Sequence, residues 1–432
     1  MRVHYAQTFL PVTSGGVKVR CWRKMNQATT PSVETTIDRV DYAFARRLSR
    51  MGVSTLREIL KVAEQPEIIS FAGGLPAPEV FPVEALARAH AEVFAEEGAQ
   101  ACQYSTTEGW WPLRQWVASR MLQRRIDSAA PDRVLITNGS QQGIDLVAKI
   151  FLDPGDCVIV ENPCYLAALQ VFNGFEAKLI AVGSDDEGMR VDEVERALAD
   201  APHRPKFIYV VSQFHNPTGT TLTLERRQHL LAVSRRYGVP IVEDDPYGEL
   251  RYGGTPLAPL AAMDTDGLVI YLSTFSKTLS PGMRIGWTHS SAEVFRALVR
   301  AKQAADLHTN TIQQRAAARL LAAFDFDSHV ERIKSVYGER RDVMLAALAE
   351  YFPPESHWTR PDGGLFLWVE LPEGVCAEEL FEKAIRERVA FVPGAPFFAA
   401  DARQNFMRLN FSNCAPSLIE DGIRRIGNLL KA

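Results

Sequence analysis

At 432 residues, with 46% hydrophobic and 23% charged side chains, the chain has a globular make-up and the length for two or three domains. A net charge of −4, with no long lysine/arginine run, excludes a basic face for nucleic acid, and no apolar run approaches the ~20 residues that span a bilayer. The six cysteines (Cys21, Cys102, Cys157, Cys164, Cys376 and Cys414) lack CxxC spacing, which indicates neither a metal site nor a disulfide framework and reads as reduced thiols of a cytoplasmic protein.

In chain order, the first 33 residues carry arginine, lysine, serine and threonine but no acidic residue. That composition is shared with organelle transit peptides, and Met25 offers an alternative start. Residues 1–40 are expected to be a flexible extension. The segment STLREILKVAEQ then has helix spacing, with Ser54 as N-cap and Glu58 nearby. It leads into ISFAGGLPAPEVFP, a Gly/Pro-rich connection rather than regular structure. Residues 41–88 are read as an N-terminal segment joining a small domain to the substrate site. Helical patterns follow across Val83–Glu97 and Gly109–Arg124.

From Arg133 onward, seven short β-rich runs alternate with helical stretches: RVLIT, CVIVEN, KLIAVG, FIYVVS, PIVEDD, LVIYLS and RIGWTHS. Apolar continuity without strict alternation suits strands buried on both faces. The expectation is an α/β domain over residues 89–326, with a seven-stranded, mostly parallel sheet covered by helices. After Phe326 the pattern changes to a long helix (His329–Tyr351), then GGLFLWVEL, AEELFEKAIRER, FVPG, MRLNFS and a last helix with Ile419, Ile423, Ile426 and Leu430 on one face. Residues 327–432 are read as a smaller α+β domain.

Ligands of parallel sheets collect beyond the carboxyl ends of the strands. After RVLIT comes NGSQQG, where the N–H groups of Ser140 and Gln141 open a helix and form an anion site. After FIYVVSQF comes HNPTG, whose Asn216 is held extended by the following proline. After PIV comes EDDPYGEL, with Asp244 and Tyr247 three apart. After LVIYL comes STFSKTLSPGMR, with Thr274, Ser276, Lys277 and Arg284. An anion turn, an amide, a carboxylate with a phenol, and an amine with an arginine describe one ligand. It has a phosphate, a basic ring nitrogen, a phenolic oxygen and an aldehyde: pyridoxal phosphate.

Each residue then has a task. Lys277 takes the aldehyde as an imine and later moves a proton at the substrate α-carbon. Asp244 keeps the pyridine nitrogen protonated, and Asn216 and Tyr247 bond the 3-oxygen. Ser140, Gln141, Ser276 and Arg284 hold the phosphate, with Thr274 in the same turn. Tyr165, in the loop after VIVENP, stacks on the ring.

From about Ser54 to the C-terminus the chain resembles the fold-type I, class I/II aminotransferases. SFAGGLPAPEVFP, QYSTTEGWWPLRQW, TNGSQQGIDL, HNPTG, EDDPYGEL, STFSKTLSPGMRIGW, AKQAADLHT and MRLNFS stand in that family's order. The STxRE…SFAGGLPAP opening is similar to that of the 2-aminoadipate (kynurenine/α-aminoadipate-type) subgroup. The resemblance implies a homodimer with shared active sites, in which Tyr104 reaches the neighbouring subunit's phosphate. It implies that Arg408 clamps the substrate α-carboxylate at two points, that Gly74 lines its surroundings, and that Arg57 receives a distal carboxylate. Thr274 stands where many relatives have serine, and the hydroxyl is kept. The implied activity moves an amino group between an L-amino acid and a 2-oxo acid, with glutamate/2-oxoglutarate as one pair and 2-aminoadipate as another substrate. The alternatives are an aromatic or branched-chain substrate, a lyase or decarboxylase reaction on the same scaffold, and the cofactor-binding half of a winged-helix regulator.

Overall fold

The computed structural model describes residues 42–51 and 65–431. All seven apolar runs form strands of one sheet, which gains an eighth strand that the sequence reading did not include. Its spatial order is Val134–Thr137, Gly286–His289, Val269–Thr274, Ile241–Asp244, Ile208–Val210, Cys157–Asn162, Lys178–Asp185 and Gly188–Met189. The added strand is only two residues long, too short to show any period, and folds back antiparallel on the end of Lys178–Asp185. From Val269–Thr274 to Lys178–Asp185 the neighbours are parallel. Gly286–His289 is inserted antiparallel to both of its neighbours, so Val134–Thr137 points the same way as the parallel set.

Successive strand residues feed two different cores, which is why these runs are apolar without alternation. Leu135, Val158, Val160, Val242 and Leu272 pack into one cluster. Val134, Ile136, Ile159, Ile241 and Val269 pack into the other. The chain direction brings Thr137, Val210, Asp244 and Thr274 to one edge, and the residues that follow them meet there.

A smaller antiparallel sheet has the order His357–Trp358, Phe366–Glu370, Phe406–Asn410, Val392–Pro393. The long helix before it runs from Phe326 to Tyr351, and Asp325 caps it by accepting from the Ser328 N–H at 3.0 Å. The final helix, Pro416–Lys431, buries Ile419, Ile423 and Ile426, with Leu430 packed alongside. The Gly/Pro-rich connection is less irregular than expected. Ile69–Ser70 pairs in parallel with Val389–Ala390, and Pro78–Val80 makes a 3-10 turn. This pairing ties the N-terminal segment to the smaller sheet's side of the chain and sets Ala72 and Gly74 over the edge where the strand ends meet. The helices at 83 and 109 are seen as Val83–Ala101 and Trp111–Gln123.

The expected helix around Ser54 and Glu58, and Arg57 within it, lie outside the described residues, as do residues 1–40. Contacts divide the chain between Arg46 and Arg47, and every strand belongs to the second unit. In the first, Tyr42 and Phe44 stack with ring centroids 5.9 Å apart. Among the described residues no helix is long and apolar enough to cross a membrane.

Candidate active site

The strand ends converge on a cavity of about 260 Å³. Its walls include Ser140 and Gln141 from the first strand end, Asn216 from the next, and Asp244 and Tyr247 from the third. Thr274, Ser276, Lys277 and Arg284 come from the fourth, while Gly74, Tyr165 and Arg408 close it from other segments.

The anion turn is built by close approach. Gly139 adopts φ +73°, and a side chain there would come within 2.5 Å of the Arg284 guanidinium. Gly286, on the adjacent strand, leaves no room either: a Cβ would meet the Gly139 carbonyl carbon at 2.5 Å and the Ser140 nitrogen at 2.6 Å. The helix Gly139–Phe151 therefore starts hard against the sheet, with its first N–H groups at the cavity wall. Arg284, at φ 52°, donates to the Asn138 carbonyl at 3.2 Å. Thr274 Oγ1 and Ser276 Oγ lie 2.9 Å apart, and the Ser276 N–H donates to Thr274 Oγ1 at 3.1 Å.

Lys277 is part-buried and donates to the Gly74 carbonyl at 2.8 Å. Burial, reinforced by the positive Arg408 and Arg284, pulls its amine down to about 8. Asp244 accepts from the Tyr209 hydroxyl at 2.7 Å through Oδ2, while its Oδ1 is buried without a partner. Burial pushes its carboxyl up to about 7 against the lowering effect of that hydrogen bond, with Asp245 adding to the rise. Arg408 donates to Asn216 Oδ1 at 2.8 Å and to the Ala72 carbonyl at 2.6 Å. Its guanidinium lies 4.4 Å from the Phe366 ring centroid and 5.1 Å from that of Phe397. Burial pulls it down to about 10, and its Nε has no partner. The Tyr165 phenol is pushed up to about 12 by burial, and burial likewise holds Tyr247 far above its ordinary value.

Of the described residues singled out from sequence, Tyr104 alone is not at the cavity. Arg57 lies outside the described residues, and Tyr104 is 79% exposed, with its ring edge-on to His308 at 5.9 Å. Gly74 is present, and its carbonyl holds the Lys277 amine. Tyr209 was missed. A tyrosine in a buried strand must find an acceptor, but only the adjacency of Ile208–Val210 and Ile241–Asp244 shows that the acceptor is Asp244. Phe366, which lines the cavity beneath Arg408, was also missed because its strand arrives from the other sheet.

The donor set fits pyridoxal phosphate. A buried carboxylate oxygen without a partner suits a protonated ring nitrogen, and a desolvated amine suits an aldehyde. A helix N-terminus beside an arginine suits a phosphate. One cavity holds all three, so a single small heterocycle can touch them together.

Comparisons with known proteins agree. The family described as aminotransferase class I and II matches residues 67–426. The chain is 44% identical over 399 residues to aromatic-amino-acid aminotransferase 1 of Thermococcus litoralis, covering 92% of this chain and 95% of that protein. It is also 44% identical over 392 residues to the 2-aminoadipate transaminase of Thermus thermophilus, covering 90% and 96%. The crystal structure of α-aminoadipate aminotransferase from Thermus thermophilus, complexed with N-(5'-phosphopyridoxyl)-L-leucine, superposes with a TM-score of 0.84 at 43% identity, covering 90% of this chain and 97% of that one. With this cavity chemistry and this extent of likeness, the chain belongs to the class I and II aminotransferases, is an aminotransferase of the pyridoxal-phosphate fold type I, and uses pyridoxal 5'-phosphate as its cofactor.

Proposed function

We propose that this aminotransferase exchanges amino groups between glutamate/2-oxoglutarate and a second pair that includes 2-aminoadipate and its oxo acid. The observation that carries the chemistry is the convergence of Lys277, Asp244, the Ser140–Gln141 turn and Arg408 on one cavity. When bound, the cofactor supplies an aldehyde for an amine and a ring that withdraws electrons from the substrate α-carbon.

The chain's own residues do the rest. Lys277 Nζ would hold the cofactor's aldehyde, and as a free amine it would take and return the α-proton of the substrate. An amine pulled down to about 8 is partly unprotonated at neutral pH, as a general base requires. Asp244 Oδ1 holds the proton of the ring nitrogen, with Tyr209 fixing the other oxygen. Asn216 and Tyr247 bond the 3-oxygen, Tyr165 covers the ring, and Ser140, Gln141, Thr274, Ser276 and Arg284 orient the phosphate. Arg408 is already desolvated and fixed through Asn216 and Ala72, so it meets the substrate α-carboxylate with little reorganisation. Gly74 leaves room beside that carboxylate, because a Cβ there would press on Phe366 at 3.0 Å.

The 2-aminoadipate assignment draws on the equal likeness to a 2-aminoadipate transaminase and on Arg57 as a receiver for the distal carboxylate. A second reading, aromatic amino acids as the preferred donors, is favoured by the 44% identity to the Thermococcus litoralis enzyme. We also propose that the working form is a homodimer. Tyr104 is exposed with its ring edge-on to His308, where a second copy of the chain can cover this face and receive the Tyr104 hydroxyl at its own phosphate.

Glutamate added alone to the holoenzyme should convert the cofactor to its amine form, read by absorbance; no conversion sinks the transamination reading. In Lys277→Ala, turnover should fall about a thousandfold or more, with loss of the visible band. Retained turnover overturns the base assignment. For Asp244→Asn, kcat should drop on the order of a hundredfold, while the cofactor-free protein becomes more stable. The sign follows from a folded pKa raised from 3.8 to about 7: ionisation then opposes folding increasingly as pH climbs through that window. The gain in Tm should therefore be larger at pH 8 than at pH 5, and a reversed order in calorimetry refutes the buried-carboxylate account. Arg57→Ala should lose about ten- to a hundredfold more kcat/KM for dicarboxylic than for aromatic donors, and a donor panel showing equal losses removes Arg57 from the distal site. Sedimentation should give a dimer, and Tyr104→Phe should weaken cofactor retention about tenfold; a fully active monomer contradicts the shared site.

A further inference from the structure

Behind the anion turn, outside the cavity wall, stands an ion pair between a buried lysine and a partly exposed aspartate that the reaction does not use directly. Lys302, 0% exposed in the helix Ala292–Asp306, donates its Nζ to Asp306 Oδ1 at 2.9 Å, to Asp306 Oδ2 at 2.8 Å and to Gln142 Oε1 at 2.9 Å. Asp306 Oδ2 also accepts from Asn138 Nδ2 at 2.6 Å and from Gln142 Nε2 at 2.7 Å. The Asn138 N–H donates to Gln142 Oε1 at 2.8 Å, and the Asn138 carbonyl accepts from Arg284. Asn138 is thus fixed through its N–H, its side chain and its carbonyl.

Asn138 is the N-cap residue of the helix Gly139–Phe151, yet its side chain makes no capping hydrogen bond. Asparagine is among the best N-caps, because its oxygen accepts from the second or third N–H of the helix. Those are the N–H groups that a phosphate at this turn needs. An Asn138 oxygen turned inward would compete with the phosphate for the same donors. Asp306 pulls the side chain the other way, and Lys302 holds Asp306 in place by donating to both of its carboxylate oxygens.

We infer that the Lys302–Asp306 pair acts as a decapping device. By holding the Asn138 side chain away from its own helix, these positioning residues keep the first N–H groups open for the cofactor's phosphate. This rests on reading Ser140 and Gln141 as the phosphate-binding donors.

The test compares the affinity of the full-length, cofactor-free protein for pyridoxal phosphate with that for pyridoxal, which lacks the phosphate. The variants are Lys302→Met/Asp306→Ala, which removes both charges together, and Asp306→Asn, which preserves shape if the first does not fold. In either, the preference for the phosphate-bearing form should fall on the order of tenfold. Adding Asn138→Ala, which removes the competing cap, should restore most of it. Equal weakening of both ligands leaves the preference unchanged and marks the pair as merely structural, which overturns the inference. Failure of Asn138→Ala to restore the preference overturns it as well. A wild-type protein with no preference at all refutes instead the phosphate reading of the turn, and the inference falls with it.

Discussion

Everything at this site depends on two ionisable groups kept out of water without counter-charges. Lys277 faces two arginines and a carbonyl, and Asp244 faces a tyrosine hydroxyl and a neighbouring carboxylate. Their displacements, to about 8 and about 7, correspond to roughly 3–5 kcal/mol each against the charged form, taking about 1.4 kcal/mol per unit. Among the described residues neither meets an opposite charge, and the Tyr209 hydroxyl relieves Asp244 only in part. A ligand that takes the amine covalently and gives the carboxylate a ring proton relieves both at once, so cofactor binding and stability are linked. The same strain that holds the amine partly unprotonated fits it to move a proton near neutral pH.

Such strain needs a scaffold with stability to spare. The sheet provides it by sending alternate residues of each strand into two separate cores, so the strands are held from both faces. Its direction then does the positioning. With Gly286–His289 inserted antiparallel, Val134–Thr137 ends at the same edge as the parallel strands, and Gly286 lets the anion turn lie directly on the sheet. The second sheet contributes Arg408 and Phe366 from paired strands, which fixes the guanidinium over the ring it rests on.

Much of this was legible in the sequence because topology converts position into proximity. Residues just after parallel strands must meet, so Ser140, Asn216, Asp244 and Lys277 could be grouped without coordinates. What escaped were contacts that depend on which neighbours lie side by side. Tyr209 reaches Asp244 only because their strands are adjacent, and Lys302 reaches the turn only because its helix packs on the one that Asn138 begins. Nothing in the spacing of AKQAADLHT marks its lysine as wholly buried. The two-residue strand at Gly188 was invisible for a simpler reason: it has no pattern to read.

The likeness to two relatives at the same 44% identity, one named for aromatic amino acids and one for 2-aminoadipate, follows from how the site divides its work. The residue proposed to grip the α-carboxylate is held from several sides. Arg408 is held by Asn216 and Ala72 and lies against Phe366 and Phe397, and even a methyl group at position 74 would disturb Phe366. Those residues serve every amino acid equally and cannot drift without loss of the common chemistry. Under the proposed function, selection of the distal side chain would fall to few further positions, Arg57 among them, and a hydrogen bond to a carboxylate there would outweigh many silent differences elsewhere. Whole-chain identity therefore counts the shared scaffold as a whole, while the preferred substrate would turn on a handful of side chains that the count scarcely registers.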